Sequence, residues 1–131
     1  MAARVIGIGI DFCELDRIES LMDRLGDRFL KRIFSAAEIE YVGSGSRAAI
    51  RSAGLFAAKE AVVKCLGTGF SCGVGWKCVE AVPLARGGWV VALHNEAARR
   101  AAAHGATRWL MDIQFDRRHA AAVAVWITSE G

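Results

Sequence analysis

The stretch from about Arg47 to Leu66 constrains the fold more than any other part of the sequence. It reads as a helix carrying Ile50, Phe56, Ala57, Val62 and Val63, and it stops at Gly67, the residue type that most readily closes a helix. A helix of that length spans about 30 Å, the width of a small domain, so the other elements must pack around it. Upstream, residues 4–10 alternate β-branched side chains with Gly7 and Gly9. That suggests a strand whose glycines let another backbone or a ligand come close. From Cys13 to Leu25 the apolar positions Leu15, Ile18, Leu21, Met22 and Leu25 recur at helical spacing, and Gly26 ends that helix. Ser35 and Glu38 fit a capping box that starts a short helix through Ile39 and Tyr41, followed by a loop at Gly43–Ser46.

The second half predicts a strand around 78–84, a turn at Arg86-Gly87-Gly88 and a strand from Trp89 to Leu93. An alanine-rich helix from Asn95 to Gly105 follows, then strands at 109–115 and 120–127 around the charged turn Asp116-Arg117-Arg118. Helices segregated from hairpins imply an α+β fold, a mostly antiparallel sheet with a long central helix. No repeat, low-complexity tract or charge block divides the chain, so 1–131 reads as a single domain.

Composition narrows the function classes. With 53% hydrophobic and 24% charged residues the chain is no solvating polyelectrolyte, and one proline among 131 residues excludes a proline-rich linker. Mean hydropathy is high at +0.27, yet no apolar run reaches the ~18 residues that span a bilayer; the excess is alanine. The opening apolar stretch is too short for a secretory signal and is interrupted by Asp11. The expectation is a cytoplasmic protein without a membrane partner. A net charge of +3 is too mild to argue for nucleic acid. Cys13, Cys65, Cys72 and Cys78 form no CxxC pair, so they read as buried, reduced thiols rather than a zinc site.

Three places can carry chemistry. Asp11 stands where the first strand is expected to end, either presenting a carboxylate in a cleft or capping the next helix. Glu60 and Lys64 lie four apart on one helical face, as a site pair or as a surface ion pair. The glycine-rich stretch Gly67–Gly75 is a loop whose amides are candidates for approaching a phosphate. Arg17, Arg24 and Arg28 fall along one side of a helix if it continues past Gly26; such a stripe steers an acidic partner or is a solvated face neutralised by Asp16, Glu19, Asp23 and Asp27.

Taken together these segments resemble a known family. Ile6 to Ile18, with Asp11, Glu14 and Arg17, looks like the opening of the holo-acyl-carrier-protein synthases, the small 4′-phosphopantetheinyl transferases. Phe29 to Phe34 with Ala37-Glu38-Ile39, and above all Ala53 to Gly69, are similar to that family's motifs, as are the Trp76-Lys77 step and the strand from Ala120 to Val125. The resemblance implies a 4′-phosphopantetheinyl transferase-like fold. It also implies transfer of phosphopantetheine from coenzyme A to a serine of an acyl or peptidyl carrier protein, with release of 3′,5′-ADP. By the same resemblance Asp11 and Glu60 are metal-binding residues for Mg2+, and Asp11, Glu60 and Lys64 are catalytic. Lys59, Lys64 and Gly67 are cofactor-binding, and Arg17, Arg24 and Arg28 are the contact for an acidic carrier protein. A homotrimer with active sites between subunits is implied as well.

Three positions depart from the family pattern. Leu55 stands where arginine is usual, Gly87-Gly88-Trp89 replaces a Gly-x-Pro, and Asp112-Ile113-Gln114-Phe115 replaces a Ser-x-Ser/Thr-His. By analogy all three lie near the nucleotide end of the cofactor or beside the reaction centre, and in a working transferase Arg117, Arg118 or His119 are expected to substitute. The alternative is a catalytically altered relative that serves as a carrier-protein-binding module. Of the other histidines, His94 reads as a surface or cap contact, and His104 as a helix C-terminal charge.

Overall fold

In the computed structural model, which describes residues 2–129, the chain begins with strand β1 (Val5–Glu14) and helices α1 (Leu15–Leu25), α2 (Asp27–Ile33), α3 (Ala36–Val42) and α4 (Ala48–Leu66). A 3-10 turn (Trp76–Cys78), strands β2 (Val79–Pro83) and β3 (Trp89–Leu93), helix α5 (Asn95–Ala102) and strands β4 (Thr107–Phe115) and β5 (His119–Thr128) complete it. One sheet has the order β1-β5-β4 and the other is the β2-β3 hairpin. Every pairing is antiparallel, as expected for this α+β architecture.

Helix α4 is buried along most of its length, from Ala48 to Val63, and is the centre of the fold. It sits close to the larger sheet because both surfaces are made of small residues. Ala57, Ala58 and Ala61 on the helix and Ala120, Ala122 and Ala124 on β5 are all buried. The glycines of β1 carry this furthest. A Cβ on Gly9 would lie 1.9 Å from the carbonyl oxygen of Ala61, so only glycine permits this crossing. Gly54 of α4 plays the same part against β4, where an added Cβ would be 2.7 Å from the Phe115 ring.

The capping box at α3 is present in full: Ser35 Oγ accepts from the Glu38 amide at 3.2 Å and Glu38 Oε1 accepts from the Ser35 amide at 2.8 Å. Two expected boundaries move. β1 continues to Glu14, because β5 supplies a partner for each residue from Asp11 (opposite Ala122) to Glu14 (opposite His119). Asp11 is therefore an inner strand residue rather than a strand end or a cap, and the N-cap position of α1 is Glu14. Helix α5 ends at Ala102, and His104 packs its ring against Trp126 at 4.7 Å instead of facing the helix end.

Among the described residues nothing covers one face of the larger sheet. Ile8, Ile10 and Phe12 of β1 are 61%, 63% and 67% exposed, and Leu110 of β4 continues the patch. Alternation along β1 thus divides it between two tasks: Gly9, Asp11 and Cys13 face α4, while Ile8, Ile10 and Phe12 face outward.

Candidate active site

The crossing at Gly9 decides where the charges meet. β1 runs antiparallel to α4, with Gly7 facing Cys65 and Gly9 facing Ala61, so Asp11, two residues further along the same face, lies further toward the helix N-terminus, within reach of the long Lys64 side chain. There Lys64 Nζ donates to Asp11 Oδ1 at 3.0 Å and to the Ile10 carbonyl oxygen at 3.0 Å. Glu60, one helical turn before Lys64, faces the same space. Burial, then the negative charge of Asp11, pushes its carboxyl pKa up, while Lys64 and Arg17 pull it down. Two acids from distant parts of the sequence therefore share one partly open seam. Cys13, next on that face of β1, is buried and its thiol is pushed up to about 11, chiefly by burial.

This donor set suits a hard divalent cation. Magnesium binds through one or two carboxylates and keeps its other positions for water and phosphate oxygens, which Asp11 and Glu60 match. A richer site is absent: among the described residues no three His, Cys, Asp or Glu side chains gather, and the cysteines form neither a metal cluster nor a disulfide. Cys13 and Cys78 are buried as expected, whereas Cys72 is exposed.

Lys59 is placed otherwise than the sequence reading expects. It is fully buried and its ammonium meets Glu38 Oε1 at 2.8 Å, the Trp76 carbonyl oxygen at 3.0 Å and the Val79 carbonyl oxygen. Those three acceptors match its three N–H donors, which leaves none for a cofactor. Gly67 closes α4 in the left-handed region (φ 78°) and gives its N–H to the Lys64 carbonyl oxygen at 3.1 Å, while the Gly69 amide bonds Val63. These two amides are not free for a phosphate. What Gly67 offers is open space beside Lys64, since a Cβ there would meet nothing.

The arginines regroup. Gly26, at φ 57°, breaks the helix, so α1 and α2 diverge and the continuous stripe does not form. Arg17 and Arg28 instead line a groove of about 390 Å³ with Leu21, Phe29, Phe56 and Trp76, and Arg32 joins them in place of Arg24. The Arg17 guanidinium lies over the Phe56 ring, 5.1 Å from its centroid. Phe56 contacts Trp76 at 4.7 Å, and Trp76 stacks on Phe70 at 3.8 Å.

The departures from the family pattern have packing explanations. Leu55 is fully buried in the core, which corrects the expectation that it borders the nucleotide. Phe115 rests on Gly54, Gln114 bonds Asp112 at 2.9 Å, and Trp89 meets the Tyr41 ring edge-on at 5.2 Å. The expected substitutes separate. Arg117 lines a cavity of about 570 Å³ with Arg47, Ser46 and Phe115, whereas Arg118 and His119 line a smaller one of about 170 Å³ with Glu14 and Asp16. His119 Nδ1 lies 3.2 Å from Asp116 Oδ1.

Sequence reasoning missed Arg32, Phe70 and the buried partnership of Glu38. Glu38 did announce itself through the capping box, but that motif says nothing of the second carboxylate oxygen, which accepts from the Ala81 amide at 2.9 Å.

Comparison with known proteins agrees with this geometry. The family model described as the 4′-phosphopantetheinyl transferase superfamily matches residues 7–124. A holo-[acyl-carrier-protein] synthase of Solidesulfovibrio magneticus is 49% identical over 125 residues, covering 91% of this chain and 95% of its own. A solved holo-(acyl-carrier-protein) synthase from Bacillus anthracis, in complex with CoA (3′,5′-ADP), is 32% identical with a TM-score of 0.78, covering 98% of this chain and 100% of that one. The holo-[acyl-carrier-protein] synthase of Neisseria meningitidis is 25% identical with a TM-score of 0.84, over 94% of this chain and 98% of its own. With the Asp11–Glu60–Lys64 seam held between β1 and α4, and these likenesses running almost end to end, the chain belongs to the holo-[acyl-carrier-protein] synthases of the 4′-phosphopantetheinyl transferase superfamily.

Proposed function

We propose that the protein transfers 4′-phosphopantetheine from coenzyme A to a serine of an acidic acyl carrier protein, with Asp11 and Glu60 holding Mg2+. The convergence of Asp11, Glu60 and Lys64 on one seam carries this reading. The serine oxygen attacks the phosphorus that bears pantetheine and loses its proton; the pyrophosphate P–O bond breaks and 3′,5′-ADP leaves with the bridging oxygen. Such a reaction needs positioning and neutralisation of charge more than covalent help. When bound, the cation supplies neutralisation of the diphosphate oxygens. Lys64 has two donors engaged, by Asp11 and Ile10, and its remaining N–H reaches outward to phosphate from a half-exposed position. Burial and the charge of Asp11 push the Glu60 carboxyl pKa up, and the same burial would make a bound positive charge more effective there.

The groove with Arg17, Arg28 and Arg32 over Leu21, Phe29 and Phe56 fits an acidic, partly apolar protein surface, and we assign it to the carrier protein. The exposed apolar face of β1 and β4 supports self-association, because patches of that kind on soluble chains mark interfaces. With the family resemblance we read it as the interface of a homotrimer. Asp11 lies between Ile10 and Phe12 on β1, on the opposite face of the strand, and we read each site as lying close to that interface. No helix among the described residues is long and apolar enough to cross a membrane. The unpaired cysteines suit a reducing compartment, so we place the enzyme in the cytoplasm.

The test is transfer itself. An apo acyl carrier protein incubated with the protein, coenzyme A and magnesium gains the mass of phosphopantetheine, and Asp11→Ala abolishes the gain. Binding of the carrier protein without any mass gain would overturn the enzymatic reading in favour of a binding module.

A further inference from the structure

The buried pair Lys59–Glu38 lies next to the site, and Lys59 spends its donors on Glu38, Trp76 and Val79. A buried ion pair is a poor source of stability, since apolar residues of similar size often serve as well. What Lys59 provides that an apolar side chain does not is direction. Its ammonium is pinned by Glu38 at 2.8 Å and donates to the carbonyl oxygens of Trp76, where the 3-10 turn begins, and Val79, the first residue after it. Glu38 is held in turn by the amides of Ser35 and Ala81, at 2.8 and 2.9 Å. The turn is thus fixed to α4 at the residue immediately before Glu60. The same turn presents Trp76, whose ring lies between Phe70 and Phe56, and Phe56 in turn carries the Arg17 guanidinium.

We propose that Lys59 is a positioning residue that acts through Trp76. Locked by Glu38, it sets the aromatic floor under Arg17, and so registers the groove that receives the carrier protein against the Asp11–Glu60 seam. This inference rests on the proposed assignment of that groove. It gives Lys59 a role in partner recognition without contact to either substrate, and it ties the partner side of the reaction to the metal side through one bond of the α4 backbone.

The experiment measures Kd for an apo acyl carrier protein by titration, together with KM and kcat for both substrates, on the full chain. Lys59→Met combined with Glu38→Leu removes both charges at once and avoids stranding one of them. The expected result is a Kd and KM for the carrier protein about tenfold higher, with kcat and the KM for coenzyme A within about twofold. Trp76→Ala reproduces that pattern, and adding it to the pair replacement raises Kd by less than about twofold further, because both changes remove the same floor. A folded pair replacement with unchanged carrier-protein Kd overturns the proposal, as does a combined effect near a hundredfold, which would mean that Lys59 and Trp76 act independently. If the pair replacement does not fold, Trp76→Ala alone still decides: an unchanged Kd for the carrier protein refutes it. A wild-type protein that neither binds nor modifies any carrier protein sinks the proposed function as well, whereas an active wild type with unresponsive variants sinks only this inference.

Discussion

Lys59 and Glu60 follow one another in α4 and meet opposite surroundings. Lys59 is sealed, with an internal acceptor for every donor it has. Glu60 is only partly buried, faces the like charge of Asp11, and has just the partial compensation of Lys64 and Arg17. A charge with all its partners inside the protein has no capacity left for a ligand and serves the fold. One that is short of partners beside open space keeps that capacity, which is why perturbed carboxylates gather at functional sites. Rotation by one residue around a single helix separates the two cases.

The widest contrast comes from removing one carboxylate on each side. Glu60→Ala is expected to lower the transfer rate about a thousandfold or more, which is about 4 kcal/mol in the barrier. Its stability to denaturant stays within about 1 kcal/mol of wild type, since the repulsion with Asp11 disappears too. Glu38→Ala does the reverse. It leaves Lys59 charged and unpaired in the core, and breaking one side of a buried pair costs about 3–5 kcal/mol. Urea unfolding and the carrier-protein mass assay on both variants read the comparison directly. A Glu60→Ala protein with near-normal transfer breaks it.

The two strand glycines give a smaller and more graded effect. Gly9→Ala forces a methyl against the Ala61 carbonyl oxygen, with only 1.9 Å available. β1 has to lift from α4 at an expected cost of about 1–3 kcal/mol, and Asp11 moves with it, so transfer falls along with stability. Gly7→Ala meets its nearest atom, the Cys65 carbonyl oxygen, at 3.3 Å, and is expected to cost less in both readouts. Equal losses from the two substitutions would show that the approach of β1 to α4 does not set the seam.

That seam was largely legible in the sequence, and the closed pair beside it was not. Glycines alternating with β-branched residues require a close neighbour, and the spacing of Glu60 and Lys64 on a helix gives them a shared face, but that Asp11 meets both was legible only through the family resemblance. Lys59 lies between Ala58 and Glu60 in a helix that is apolar on almost every side. Periodicity cannot say which direction from such a helix leads to solvent. The inner placement of Asp11 had no local signal either, because the length of β1 is set by β5, more than a hundred residues later. That Arg24 does not line the groove was hidden for the opposite reason. The signal at Gly26 was visible, but a left-handed residue there redirects α2, and only the coordinates reveal that Arg32 takes its place in the groove.

Glu80 lies between the two extremes and tests whether they are ends of one scale. It accepts from Ser35 Oγ at 2.6 Å and faces His94 Nε2 at 3.1 Å at the rim of the Glu38 cluster. The hydrogen bond from Ser35, then that from His94, holds its carboxyl below the ordinary range. A group depressed in the folded state takes up its proton at higher pH in the unfolded chain. Its contribution is therefore complete above the ordinary carboxylate value and is lost as pH falls through the folded one. Wild type should accordingly lose slightly more stability than Glu80→Gln between about pH 5 and pH 3, by less than about 1 kcal/mol for a partly exposed group. Urea titrations of both proteins across that interval measure the difference. If the two acid limbs superimpose, Glu80 contributes nothing as a charge, and the pairing that matters in this cluster ends at Glu38, where solvent is fully excluded.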